Sequence, residues 1–142
     1  MLGRYVTDLE VGDELGAIEY VLEAHLVREY AHGCEETTER HHGAVGDAIA
    51  PPTIFHADKV RLFDLACPEG NGPSARMHLE WWSEHHAVIR VGRRVRASGR
   101  VAERYVHNGR DRIVVDFELR DAETDELLAV YHDLSMLNVV QK

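Results

Sequence analysis

The dipeptide Asn108-Gly109 constrains the fold of this chain more than any other feature. It separates two alternating runs, Val95, Ala97, Gly99 and Val101 before it and Ile113, Val115, Phe117 and Leu119 after it. Asn-Gly supplies the two positive-φ residues of a type I′ turn, whose twist matches that of paired strands. The reading is a long antiparallel hairpin, with Arg94, Arg96, Ser98 and Arg100 on the opposite face of its first strand. A second turn from Asp121 to Glu126 and a last strand from Leu127 to Val140 continue the sheet, and Met77, Leu79 and Trp81 alternate in a strand before it.

The first half of the chain adds one strand and two helices. Glu14 to Ala24 carries Ile18, Tyr20 and Val21 and reads as a strand after a Val11-Gly12-Asp13 turn. Leu26, Val27, Tyr30 and Ala31 form the stripe of a short amphipathic helix that Gly33 ends. Glu35 to Asp47 has no apolar period and is a loop. Ala50-Pro51-Pro52-Thr53 opens a longer helix, because proline's missing N–H costs nothing in a first turn. Its apolar side is read as Ile54, Ala57, Val60, Arg61 and Phe63 to Ala66, and the breakers from Cys67 to Pro73 end it. This is an α+β layout in which the helix from Pro52 to Ala66 must cover the apolar face of an antiparallel sheet. A sheet wrapped around that helix and a small α+β roll of another topology both satisfy the pattern.

At 142 residues and 44% hydrophobic content, the chain reads as one domain, residues 1–142, burying roughly 70% of its unfolded surface. It has no run of 18 apolar residues, and its first residues lack a signal peptide's apolar segment, so the expected location is cytoplasmic. Cys34 and Cys67 lack metal or redox spacing and read as reduced thiols. A net charge of −9 argues against a nucleic-acid partner. Yet Arg90, Arg93, Arg94, Arg96, Arg100 and Arg104 face a single acid, Glu103, within their segment. Either they are a solvated strand face paired with carboxylates, or Arg94, Arg96 and Arg100 receive the phosphates of a polyanionic ligand.

The most informative residues are Val27-Arg28-Glu29-Tyr30-Ala31, Glu35-Glu36-Thr37-Thr38-Glu39-Arg40-His41-His42 and Ala50-Pro51-Pro52-Thr53-Ile54-Phe55. Together they resemble the MaoC-like (R)-specific enoyl thioester hydratases and 3-hydroxyacyl dehydratases. In these a short helix leads through a D-x-N-P-x-H loop to the central helix by an Ala-Pro-Pro-Thr-Phe-like segment. Aligned from Tyr30-Ala31, the family's Asp falls on Glu36, its Asn-Pro on Thr38-Glu39 and its His on His41. Met77-His78-Leu79-Glu80 and Arg90-Val91-Gly92 continue the similarity. The resemblance implies a hotdog fold, an antiparallel sheet around one central helix. It also implies an acyl substrate carried on CoA or phosphopantetheine, no further cofactor, and a dimer with an identical or a different hotdog chain. Glu36 replaces Asp with a side chain one methylene longer, and Glu39 stands where proline stiffens the family's loop.

Such residue types suit water addition across C2–C3 of an enoyl thioester, or its removal from a 3-hydroxyacyl thioester. One group takes a proton from water at C3 and another protonates C2. A carboxylate polarises the water, and imidazole, with an ordinary pKa of about 6.5, carries a proton either way. The resemblance assigns these roles to Glu36 and His41. Its thioester-oxygen donors are amides at the start of the central helix; since Pro51 and Pro52 have no N–H, the first available are those of Thr53 and Ile54. The alternatives are a non-catalytic acyl-binding subunit of a hotdog heterodimer and a hotdog thioesterase. No metal is expected, because the ten histidines show no ligand spacing. His56 reads as a core or pocket-lining residue, and one of Trp81 and Trp82 as core.

Overall fold

The computed structural model describes residues 5–36, 39–42 and 48–139. The loop positions 37–38 and 43–47, and with them Thr38, lie outside the described residues. Five strands, β1 (Glu14–Val21), β2 (Ala75–His85), β3 (Arg94–His107), β4 (Arg110–Asp121) and β5 (Leu127–Val139), form one antiparallel sheet in the order β1-β3-β4-β5-β2. Helix α1 (Ala24–Gly33) follows β1, and helix α2 (Ala57–Ala66) lies against β1 and β3. This is the hotdog arrangement.

The hairpin forms where Asn108-Gly109 demands it. Asn108 and Gly109 have φ of 51° and 71°, and His107 pairs with Arg110 across the turn. Inside the hairpin, Gly99 faces Phe117, and a Cβ at Gly99 would stand 2.8 Å from the phenyl ring, so only glycine admits it. Val95, Ala97, Val101, Ile113, Val115 and Leu119 are buried on the inner face. Asp121 caps the second turn, accepting the amides of Glu123 and Thr124 at 2.8 Å each.

Three expectations need correction. The segment after Pro51 is first a 3₁₀ turn, Pro52–His56, and the α-helix begins only at Ala57. The buried face of α2 is also turned from the expected one. Asp58, Lys59, Leu62, Phe63 and Ala66 are buried, while Ala57 and Arg61 are exposed and Val60 and Leu65 are 45% and 53% exposed. Two charged residues go inward because the sheet and its neighbours hold partners for both, Tyr20 for Asp58 and Asp133 for Lys59. Finally, β2 crosses over to pair with β5 and becomes a sheet edge, which leaves Met77, Leu79 and Trp82 exposed while Trp81 packs on the core. Among the described residues no helix is long and apolar enough to cross a membrane.

Candidate active site

His41 ends a short 3₁₀ turn, Glu39–His41, and is held by the strand-like segment that follows the loop. Ile49 bridges to Arg90, its amide bonds the Arg40 carbonyl at 2.7 Å, and Ala50 donates to Ile89 at 2.8 Å. This ties His41 to the connection between β2 and β3. The imidazole is 4% exposed, and its Nδ1 lies 2.7 Å from the Ile49 carbonyl. A carbonyl only accepts, so Nδ1 carries the proton and Nε2 presents a lone pair. Arg40 Nε donates to that lone pair at 3.1 Å.

Glu36 sits just beyond α1, where Glu35 turns the chain at φ 58°. Its amide donates to Ala31 at 2.8 Å and its carbonyl accepts from His42 Nε2 at 3.0 Å, so the backbone here is anchored. The Glu36 carboxylate lies 4.0 Å from Nη2 of Arg40. Both expected acid–base residues therefore meet one guanidinium. His41 and Arg40 open on a cavity of about 250 Å³ that Pro52, Phe55, His85 and Val88 also line. His85 brings to it a buried Nε2 without a hydrogen-bond partner, and burial, then His86, lowers its pKa.

A second cavity, about 440 Å³, lies between α1, β1 and the start of α2, lined by Leu22, Leu26, Tyr30, Ile54 and others. Thr53 stands at its edge with Oγ1 2.6 Å from the Tyr30 hydroxyl, while the Ile54 amide donates to the Pro51 carbonyl at 3.2 Å. Deeper in, Tyr20 donates to Asp58 Oδ2 at 2.8 Å, and Arg61 lies 3.5 Å from Oδ1. Burial pushes the Asp58 carboxyl up to about 6, against the opposing effects of the Tyr20 hydrogen bond and Arg61. The Tyr20 hydroxyl is raised well above its ordinary value, by burial first and then by the Asp58 charge.

Between α2 and the β5–β2 pair lies a polar cluster. Asp133, 1% exposed, accepts from Lys59 Nζ at 3.0 Å and from Ser135 Oγ at 2.9 Å. His78 Nε2 is 3.1 Å from the same Oδ2 that Lys59 meets, and His56 Nε2 is 3.8 Å from it, beyond hydrogen-bond length. Burial, then Lys59, lowers the His56 pKa. Among the described residues, His56, His78 and Asp133 are the group able to hold a metal ion.

The arginines of β3 point elsewhere. Arg94 and Arg96 pair with Val21 and Glu19 of β1, on the sheet face opposite Val95 and Ala97, hence away from both cavities. Arg94 lies 3.5 Å from Glu19, Arg96 bonds Asp125, and Arg100 is exposed. Arg94 and Arg96 thus have carboxylate partners on the outer face of the sheet. Sequence reasoning missed Arg40 as a contact of His41, His85 as its cavity neighbour, and the buried Asp58 and Lys59. Arg40 alone had a local signal, its adjacency to His41.

The family described as FAS1-like, dehydratase domain region, matches residues 10–126 of the chain. No curated protein matches it by sequence. Among solved structures, a MaoC-like dehydratase superposes with a TM-score of 0.76 at 21% identity over 92% of this chain and 42% of its own. The R-hydratase PhaJ1 from Pseudomonas aeruginosa gives 0.74 at 13% identity over 96% of this chain and 87% of its own. The HadBC (3R-hydroxyacyl-ACP dehydratase) complex from Mycobacterium tuberculosis gives 0.74 at 14% over 89% and 96%. The fold is common to all three.

Proposed function

The chain belongs to the FAS1-like dehydratase-region family, and from that premise we propose that it adds or removes water at C2–C3 of an acyl thioester borne on CoA or phosphopantetheine. The observation that carries this reading is the setting of His41. A 4%-exposed imidazole on the wall of a cavity has Nδ1 fixed by the Ile49 carbonyl, and its Nε2 lone pair is held by the exposed Arg40 guanidinium, which has to give way for Nε2 to exchange a proton. In hydration, Glu36 and His41 share the work of taking a proton from water as its oxygen bonds C3 and of delivering one to C2. Dehydration reverses the steps. Thr53 and Ile54 line the second cavity and not that of His41, so their amides serve as donors for the thioester oxygen in a substrate that spans both cavities, Ile54 exchanging its bond to Pro51 for the substrate. No cofactor takes part.

The partner is a second hotdog chain, identical or different. The exposed β2 edge with Met77, Leu79 and Trp82 is the surface it would cover.

One observation favours a second reading, a non-catalytic acyl-binding subunit. Arg40 already occupies the Nε2 that has to exchange a proton. The deciding assay follows enoyl absorbance and free thiol with crotonyl-CoA and a longer enoyl-CoA, for wild type, His41→Ala and Glu36→Gln. Hydration lost in both variants supports the enzyme. Binding of the acyl thioester without turnover supports the subunit, and thiol release would reveal a thioesterase.

A further inference from the structure

We propose that His56, His78 and Asp133 form a binding site for a divalent transition-metal ion, zinc or a neighbour of similar preference, independent of the hydratase reading. Three elements bring the ligands together: His56 from the turn that enters α2, His78 from the edge strand β2 and Asp133 from β5. One donor atom of each lies within 4.8 Å of the others. Zinc bonds of 2.0–2.2 Å in a tetrahedral shell set donors roughly 3.4 Å apart. The distances from Asp133 Oδ2, 3.1 Å to His78 Nε2 and 3.8 Å to His56 Nε2, bracket that spacing.

The surroundings are those of a built site. His56 Nε2 is buried without a hydrogen-bond partner, although it faces the carboxylate. Ser135 donates to the other carboxylate oxygen at 2.9 Å and orients it, while Trp81 packs edge-on against the His56 ring at 4.3 Å. His56 is held by its packing on Trp81 and Asp133 is 1% exposed, whereas His78, 36% exposed, lies 3.0 Å from the Glu80 carbonyl through the same Nε2 and must give up that contact to take an ion. Two imidazoles and one carboxylate are a donor set for zinc, cobalt, nickel or iron rather than calcium or magnesium.

Two cations face Asp133. Lys59 Nζ is 3.0 Å from Oδ2, and Arg76 also lies within its electrostatic reach. Lys59 holds the place of positive charge without metal, so an ion entering beside Oδ2 must displace the ammonium from that oxygen. Metal and lysine compete for one carboxylate oxygen, which separates this site from adventitious histidines on the surface.

Calorimetric titration of the purified full-length protein with Zn²⁺ tests the proposal, with Co²⁺ absorption reporting nitrogen and oxygen ligation. Wild type should bind one ion, His56→Gln and His78→Gln should bind it at least about tenfold more weakly, and His132→Gln, beside exposed Asp116, should match wild type. Lys59→Met should bind at least about tenfold more tightly, and Zn²⁺ should restore thermal stability that this variant has lost. No binding by wild type, binding that survives both ligand substitutions, or an affinity that Lys59→Met leaves unchanged would overturn the site.

Discussion

Arg40 Nε donates to Nε2 of the adjacent His41 at 3.1 Å, and its Nη2 lies 4.0 Å from the Glu36 carboxylate. The guanidinium thus stands between the two groups expected to handle protons. Because the Arg40 side chain is 61% exposed, that hydrogen bond is worth only roughly 1 kcal/mol. Arg40→Ala should leave His41 seated by Ile49 and raise kcat/KM for enoyl-CoA hydration by about fivefold, the equivalent of that bond. Steady-state kinetics decides it, and a fall would mean that Arg40 holds the substrate.

His85 keeps a buried Nε2 without a partner in the His41 cavity, a desolvation cost of roughly 1–3 kcal/mol in the free protein. His85→Leu should therefore raise Tm while weakening acyl thioester binding. Thermal unfolding beside a binding titration measures both. A lowered Tm together with unchanged binding would remove His85 from the site.

Asp58 predicts a stability change with pH. Its folded-state pKa of about 6 exceeds the ordinary 3.8, so between those values the folded chain holds a proton that the unfolded chain has released. The stabilisation is complete below about 4 and is lost as pH rises through about 6, a decline of roughly 2–3 kcal/mol. Asp58→Asn should flatten this part of the profile. Urea midpoints across the window give the slope directly, and an identical slope in the variant would assign it elsewhere.

Lys59 and Asp133, 5% and 1% exposed, form a buried ion pair. Removing one partner strands the other, so Asp133→Leu should cost roughly 3–5 kcal/mol. The double substitution Lys59→Met/Asp133→Leu should regain most of that loss, since apolar groups need no partner there. A double-mutant cycle in urea gives the coupling. Simple additivity of the two losses would argue against a direct pair.

Local chemistry was legible in the sequence. Asn108-Gly109 needs no long-range help to turn a chain, and its hairpin stands where the alternating runs put it. The short helix ending at Gly33, the turn at Asp121 and the start of the last strand were readable for the same reason: each depends on neighbours within a few residues. The candidate histidine was legible only through resemblance, because nothing local distinguishes His41 from His42.

The order of residues was enough to define the elements β1, α1, β3, β4 and β5, and for the hairpin of β3 and β4 also the apolar face that turns inward. Which strand became the edge, which face of α2 turned inward and which side chains met were settled by packing across the core. Apolar periodicity could not show Asp58 and Lys59 as buried, because each is admitted by a partner distant in sequence, Tyr20 and Asp133. His56, His78 and Asp133 likewise share no spacing that a linear pattern could reveal. The physical reason is the same in both cases. Burial of a charged group is set by the partner that meets it across the core, and the sheet order β1-β3-β4-β5-β2 supplies that partner only once the chain has closed.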